Sequence, residues 1–339
     1  MRLHSRALLI PLTLQLMACA AVGCTPSPHG NQPLGVGTIK DPGTLGEHSL
    51  AVDPDLHMLY ILNANDHSVS VTDTRTTSPG PTIQLDPGEE YGGIVVDPIK
   101  HELIVNAVYY VQVIDEVSRQ LTMTVNSPTT DGIRLMALDP VAGRLYVTSN
   151  DVVSILNVAT GGIDGSVPMG MAQHIAVDTS SHRVFVSTSD PGGVVNVIQP
   201  DGGVTFLRPH GGGSPGVSAL ATDPSLDRVY IGQGSSIDAV DERTGHVVHS
   251  FHTGCPAGNM AVNPHTHAVW ATGLGCSLLD KTNHFEVLDG LTYHTSLTLS
   301  GITEGSVIVD ISTGVAYIET NGGMPFRQYV QAYAAPRGP

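Results

Sequence analysis

The chain has 339 residues, of which 14% are charged and 5% aromatic, with 38 Gly and 23 Pro, whereas an average soluble domain is roughly 25% charged. Each Gly or Pro inside a helix costs about 1 to 3 kcal/mol, so composition argues against a helical protein and leaves two domains or one large β architecture. A net charge of −16 removes the phosphate attraction on which nucleic-acid binding rests, and nucleic acid is excluded as a partner.

In chain order, Arg2 and Arg6 precede an uncharged, mostly apolar run that ends in Ala21, Val22 and Gly23, directly before Cys24. A basic start, an apolar stretch and small residues are the parts of a secretory signal. A cysteine placed directly after such residues resembles the lipobox of bacterial lipoproteins, which implies lipidation at Cys24. Cys19, after Leu16, Met17 and Ala18, is a second candidate. An ordinary cleaved signal or an uncleaved anchor is the simpler alternative. The expected organisation is a signal at 1–24, a Pro-rich polar tether at 25–33, and a folded body from 34 to 339. No other run reaches the ~18 apolar residues of a membrane span, so membrane contact is expected through the lipid only. This places the protein in the bacterial cell envelope, periplasmic or at the cell surface.

Beyond the tether an apolar run ending in Asp-Pro, or a close variant, recurs seven times. Its marks are Asp53, Asp97, Asp139, Asp178, Asp223, Asn263 and Asp310, spaced 44, 42, 39, 45, 40 and 47 residues apart. Seven residues after each mark stand Tyr60, Ile104, Tyr146, Phe185, Tyr230, Trp270 and Tyr317. Six aromatics out of seven in so aromatic-poor a chain excludes chance alignment. Each unit reads as four short strands, the repeat of a β-propeller blade. Strands rich in Val, Ile and Leu without strict alternation are those of sheets buried on both faces. The seventh unit contains three strands before the chain ends, and residues 34–40 (LGVGTIK) have the composition to supply the fourth. The fold class is therefore all-β, a seven-bladed propeller closed by an N-terminal strand that removes an open edge.

The unit LYVTSN at 145–150, preceded by MALDP and followed by VVSILNVATG, resembles the YVTN-type β-propeller repeat family. LYILNANDHSVSVTDTRT and VYIGQGSSIDAVDERTG match the same pattern more loosely. The resemblance implies a secreted or envelope protein. Because the family mixes binding scaffolds with lactonase relatives and has no family-wide catalytic residues, it implies no particular reaction.

Propeller geometry sorts the remaining candidates. His57, His101, His182 and His267 each fall four residues after a mark and read as structural turn residues. His246, His249 and His252 do not form a metal site, because on a strand of period two His249 points away from the other two. Residues four to six positions before the marks line the mouth of the central channel: Glu47, His48, Tyr91, Arg134, Gln173, His174, Asn259 and Glu304. Glu47 and Glu304 occupy one aligned position in blades 1 and 7. With His48 they form a candidate Ca²⁺ site or acid/base pair, against the alternative of solvated loop residues. No GxSxG, HExxH or GxxxxGK[ST] motif occurs, and the single Trp excludes a Trp-docked quinone. No cofactor is evident beyond that Ca²⁺ reading. Cys255 and Cys276 are expected to form a disulfide in an oxidising compartment. Two functions stay open: an envelope protein that presents its channel mouth to a partner protein or small ligand, and a lactonase-like hydrolase acting at the same mouth.

Overall fold

In the computed structural model the described residues are 35–40, 50–87, 89–189, 192–209, 216–253, 255–273, 284–300, 305–322 and 327–334. They lie within one compact unit, Pro33–Pro339. They build seven four-stranded antiparallel sheets, the blades of a seven-bladed β-propeller. Among them the one helical element is a 3-10 turn at Ala64–Asp66, and no helix is long and apolar enough to cross a membrane.

Blade 1 shows the plan: Leu50–Asp53, Met58–Asn63, Ser68–Asp73 and Ile83–Gln84 pair in chain order. The aspartate that ends the first strand makes the turn possible. Asp53 Oδ1 accepts the backbone N–H groups of Asp55 and Leu56 at 2.7 and 2.8 Å, an Asx turn that satisfies amides no strand can reach. Asp97, Asp178, Asn263 and Asp310 each cap their turns in the same way. The chain then reverses through a left-handed residue four positions on: His57, His101, Gly143, His182, Asp227, His267 and Gly314 all have φ between 51° and 72°. Gly and, among non-glycines, His and Asp tolerate that region best. A second turn of the same construction follows the third strand, with positive φ at Thr77, Arg119, Gly161, Gly245 and Tyr293.

Burial explains the sequence pattern. The second strands are covered on both faces, as in Met58–Asn63 and Glu102–Ala107, where only the first residue is not buried. The outer strands face solvent on one side and alternate, as in Leu121–Asn126. Blades meet in seven apolar seams, one between each neighbouring pair. The residue seven positions after each mark sits in the seam with the next blade, and all seven of these side chains are at most 2% exposed.

The ring closes as the sequence implies. Gly35–Lys40 pairs antiparallel with Arg327–Ala334, Ile39 lying opposite Val330. Ile39, Leu59, Ile61, Tyr317 and Val330 share the seam between blades 7 and 1.

Candidate functional site

Each first strand runs from one mouth of the central channel to its turn aspartate at the far end. In blades 2, 4, 5 and 6 that strand carries a β-bulge near the mouth, at Tyr91/Gly93, Ala172/His174, Val217/Ala219 and Ala257/Asn259. A bulge re-aims side chains at a rim. Below it the strands enclose a cavity of about 360 Å³ whose wall takes Val52, Val96, Leu138, Ile175, Leu220, Met260 and Ile308, one from every blade. Arg134, Asn106, Asn259 and Ser306 supply its polar lining.

The structure thus brings Arg134 and Asn259, two of the mouth candidates, to one cavity. Arg134 is exposed there, with no salt bridge to any described residue. His174 and Gln173 are half-buried on the bulge of blade 4, beside Ile175. Tyr91 goes elsewhere: its ring is buried in the seam of blades 1 and 2, and its hydroxyl donates to the Asp86 carbonyl at 3.1 Å. Burial, reinforced by Tyr110 and Asp86, pushes that phenol upward. Glu47, His48, Glu304, Cys24 and Cys276 lie outside the described residues.

Cys255 is disulfide-bonded and 2% exposed. Among the three histidines of blade 5, His246 and His252 are exposed. His249 stacks on Tyr293 of blade 6 with ring centroids 4.7 Å apart. That separation of faces agrees with the period-two reading.

At the opposite ends of the first strands, the turn aspartates and histidines tie the blades together. His101 Nδ1 lies 2.9 Å from Asp53 Oδ2, His182 Nδ1 2.8 Å from Asp139 Oδ2, and His267 Nδ1 2.9 Å from Asp223 Oδ2. In each case the histidine belongs to the blade after the aspartate. His57 Nδ1 makes the matching approach to blade 7, 3.4 Å from Ser312 Oγ. These four histidines have the structural role that their place in the repeat implies.

Two buried carboxyls in the same layer are not part of that reading. Glu116 and Glu242 each follow the last residue of a third strand, and their N–H groups donate to the carbonyls of His101 and Asp227. The equivalent place is taken by Thr74, Val158 and Gly290 in blades 1, 3 and 6. Glu116 is 4% exposed and its Oε2 accepts from Tyr60 at 2.8 Å. Burial, and then the neighbouring Asp53 carboxylate, push it up to about 8 against the Tyr60 bond. Burial and its bond to Glu116 raise the Tyr60 phenol in turn. Glu242, 6% exposed, accepts from Ser181 Oγ at 3.2 Å. Burial and then Asp178 push it up to about 9. The dipeptides Asp115-Glu116 and Asp241-Glu242 at the close of two third strands were the available sequence signal, since an acid placed there must enter a seam.

A chain from the "Crystal Structure of Mitotic Checkpoint Complex" is similar to this protein over 99% of this chain and 100% of that one, with a TM-score of 0.72 and 12% sequence identity. At that identity the likeness is one of fold. No protein-family profile matches the sequence, and no curated protein matches it.

Proposed function

We propose that this is an exported, lipid-anchored β-propeller of the YVTN type that works as a binding protein of the bacterial envelope, taking its ligand or partner at the channel mouth. The observation that supports this reading is the cavity of about 360 Å³ on the ring axis, where aliphatic side chains from every blade meet Arg134, Asn259, Asn106 and Ser306. Its volume falls within the roughly 300 to 1,000 Å³ of small-ligand pockets. The signal-like start and Cys24 support the anchor. The disulfide at Cys255 supports an oxidising compartment, with Cys276 as its proposed partner. Asn259→Trp should obstruct the channel, and Arg134→Glu should invert the charge at its rim. Ligands and partners captured from envelope extracts by the wild type should be lost from both variants while their melting temperatures stay unchanged. Capture that survives both changes overturns the proposal.

A further inference from the structure

The repeat supplies its own control for one seam. Asp53, His101 and Glu116 each present a ligand atom, and these three atoms lie within 4.8 Å of one another. Among the described residues no other seam unites the same three groups. Asp139–His182 has Pro200 where Glu116 would be, Asp223–His267 has Gly290, and Asp178–Glu242 has Asp227 where His101 would be. The aspartate–histidine contact belongs to the repeat; the third ligand is peculiar to blades 1 and 2.

Each carboxylate is anchored through one oxygen, and the other is turned toward the cluster. Asp53 Oδ1 is engaged by two backbone amides, leaving Oδ2 toward His101. Glu116 Oε2 is fixed by the Tyr60 hydroxyl, and Oε1 is buried with no hydrogen-bond partner on a side chain 4% exposed. An orphaned carboxylate oxygen in a seam is costly, and a cation is one thing that satisfies it. Donors that fix the far oxygen of each ligand are the second layer that metal sites need. An ion that displaces the Glu116 proton meets two carboxylates and a neutral imidazole, a charge of −2 that a divalent ion cancels. The His101 side chain is 36% exposed, so an ion has access from solvent and water can complete the coordination.

We infer that Asp53, His101 and Glu116 form a site for a first-row divalent ion of the Zn²⁺ class that clips blade 1 to blade 2. One imidazole and two carboxylates suit such an ion better than Ca²⁺, which prefers oxygen alone. Zn²⁺ bonds of about 2.0 to 2.2 Å require the three donors to draw together, a movement the side chains of Glu116 and His101 allow without breaking the Asp53 turn. The site is at the turn end of the blades and is independent of the channel mouth.

The full-length protein, stripped with a chelator, is titrated with Zn²⁺ by calorimetry and with Co²⁺ by absorption, and its melting is followed with and without Zn²⁺. The expected result is one equivalent bound and a raised melting temperature. Glu116→Gln and His101→Asn should each weaken binding by at least tenfold and abolish the rise. Tyr60→Phe, which only positions Glu116, should cost about tenfold, and Glu242→Gln should leave the Zn²⁺ affinity and the Zn²⁺-induced rise in melting temperature as they are in the wild type. If Glu116→Gln fails to fold, His101→Asn and Tyr60→Phe decide between the same outcomes. Absence of binding by the wild type overturns the inference. So does binding of equal strength in the ligand variants, the result expected if only surface histidines take the ion.

Discussion

Replacing Glu242 by Gln should make stability less dependent on pH, and the seam between blades 4 and 5 gives the size of the effect. The Glu242 carboxyl faces Asp178 with no cation on it: Arg183 donates to the Glu242 backbone carbonyl at 3.3 Å instead. For Asp178, burial is outweighed by the Ser181 and Ser180 donors and by Glu242 itself, so its own value is lowered. One proton therefore lies between the two acids at neutral pH, on Glu242. The unfolded chain gives that proton up near 4.5 and the folded chain near 9. The stabilisation is fully present below about pH 4.5 and is lost as pH rises toward about 9, by about 1.4 kcal/mol for each pH unit. The lowered Asp178 acts with opposite sign and only below its unfolded value of 3.8, outside this window. Gln keeps the size and both hydrogen bonds, its amide donating to Asp178 and accepting from Ser181, and it never ionises. Between pH 5 and pH 8 the variant should gain on the wild type by roughly 2 to 4 kcal/mol, the lower figure allowing for water that reaches the pair. Urea unfolding of both proteins at pH 5, 6, 7 and 8 measures the gap directly, since Glu116 contributes equally to each. A gap that stays constant across the series would refute the shared proton.

Deleting residues 34–40 removes the outer strand of blade 7 and uncovers Val330, and should cost several kcal/mol in apolar burial alone; an unchanged melting temperature would count against closure. Gly290→Ala should destabilise by about 1 to 3 kcal/mol, because its Cβ would lie 3.0 Å from the His267 carbonyl and against the Tyr230 hydroxyl; an unaltered urea midpoint would mean that the seam yields. Cys24→Ser should release the protein from membranes or block its processing, read by fractionation and mass, whereas the same effect from Cys19→Ser alone would move the lipid site. Thiol labelling without reductant should leave Cys255 unmodified, and labelling at that residue in the native protein would end the disulfide reading.

The blade count, the closing strand and the turn chemistry were legible in the sequence because each is imposed by local rules. An aspartate or asparagine that caps its own turn, a left-handed residue four positions later and a large apolar side chain, aromatic in six blades of seven, seven positions later are fixed distances along one chain, and they recur with every blade. Tyr91 marks the limit of that reading. It shares the mouth positions by count, yet a bulge between Tyr91 and Gly93 turns its ring into a seam while Asn259, beyond the same kind of bulge, reaches the cavity. For Glu116 and Glu242 the sequence marks the position but not the neighbours. Their neighbours, Asp53 with Tyr60 and Asp178 with Ser181, belong to the preceding blade, about sixty positions back along the chain. Local sequence determined what each blade is. Only the packing of blade on blade decided which charges are buried together, because that depends on distances across a seam and not along the chain.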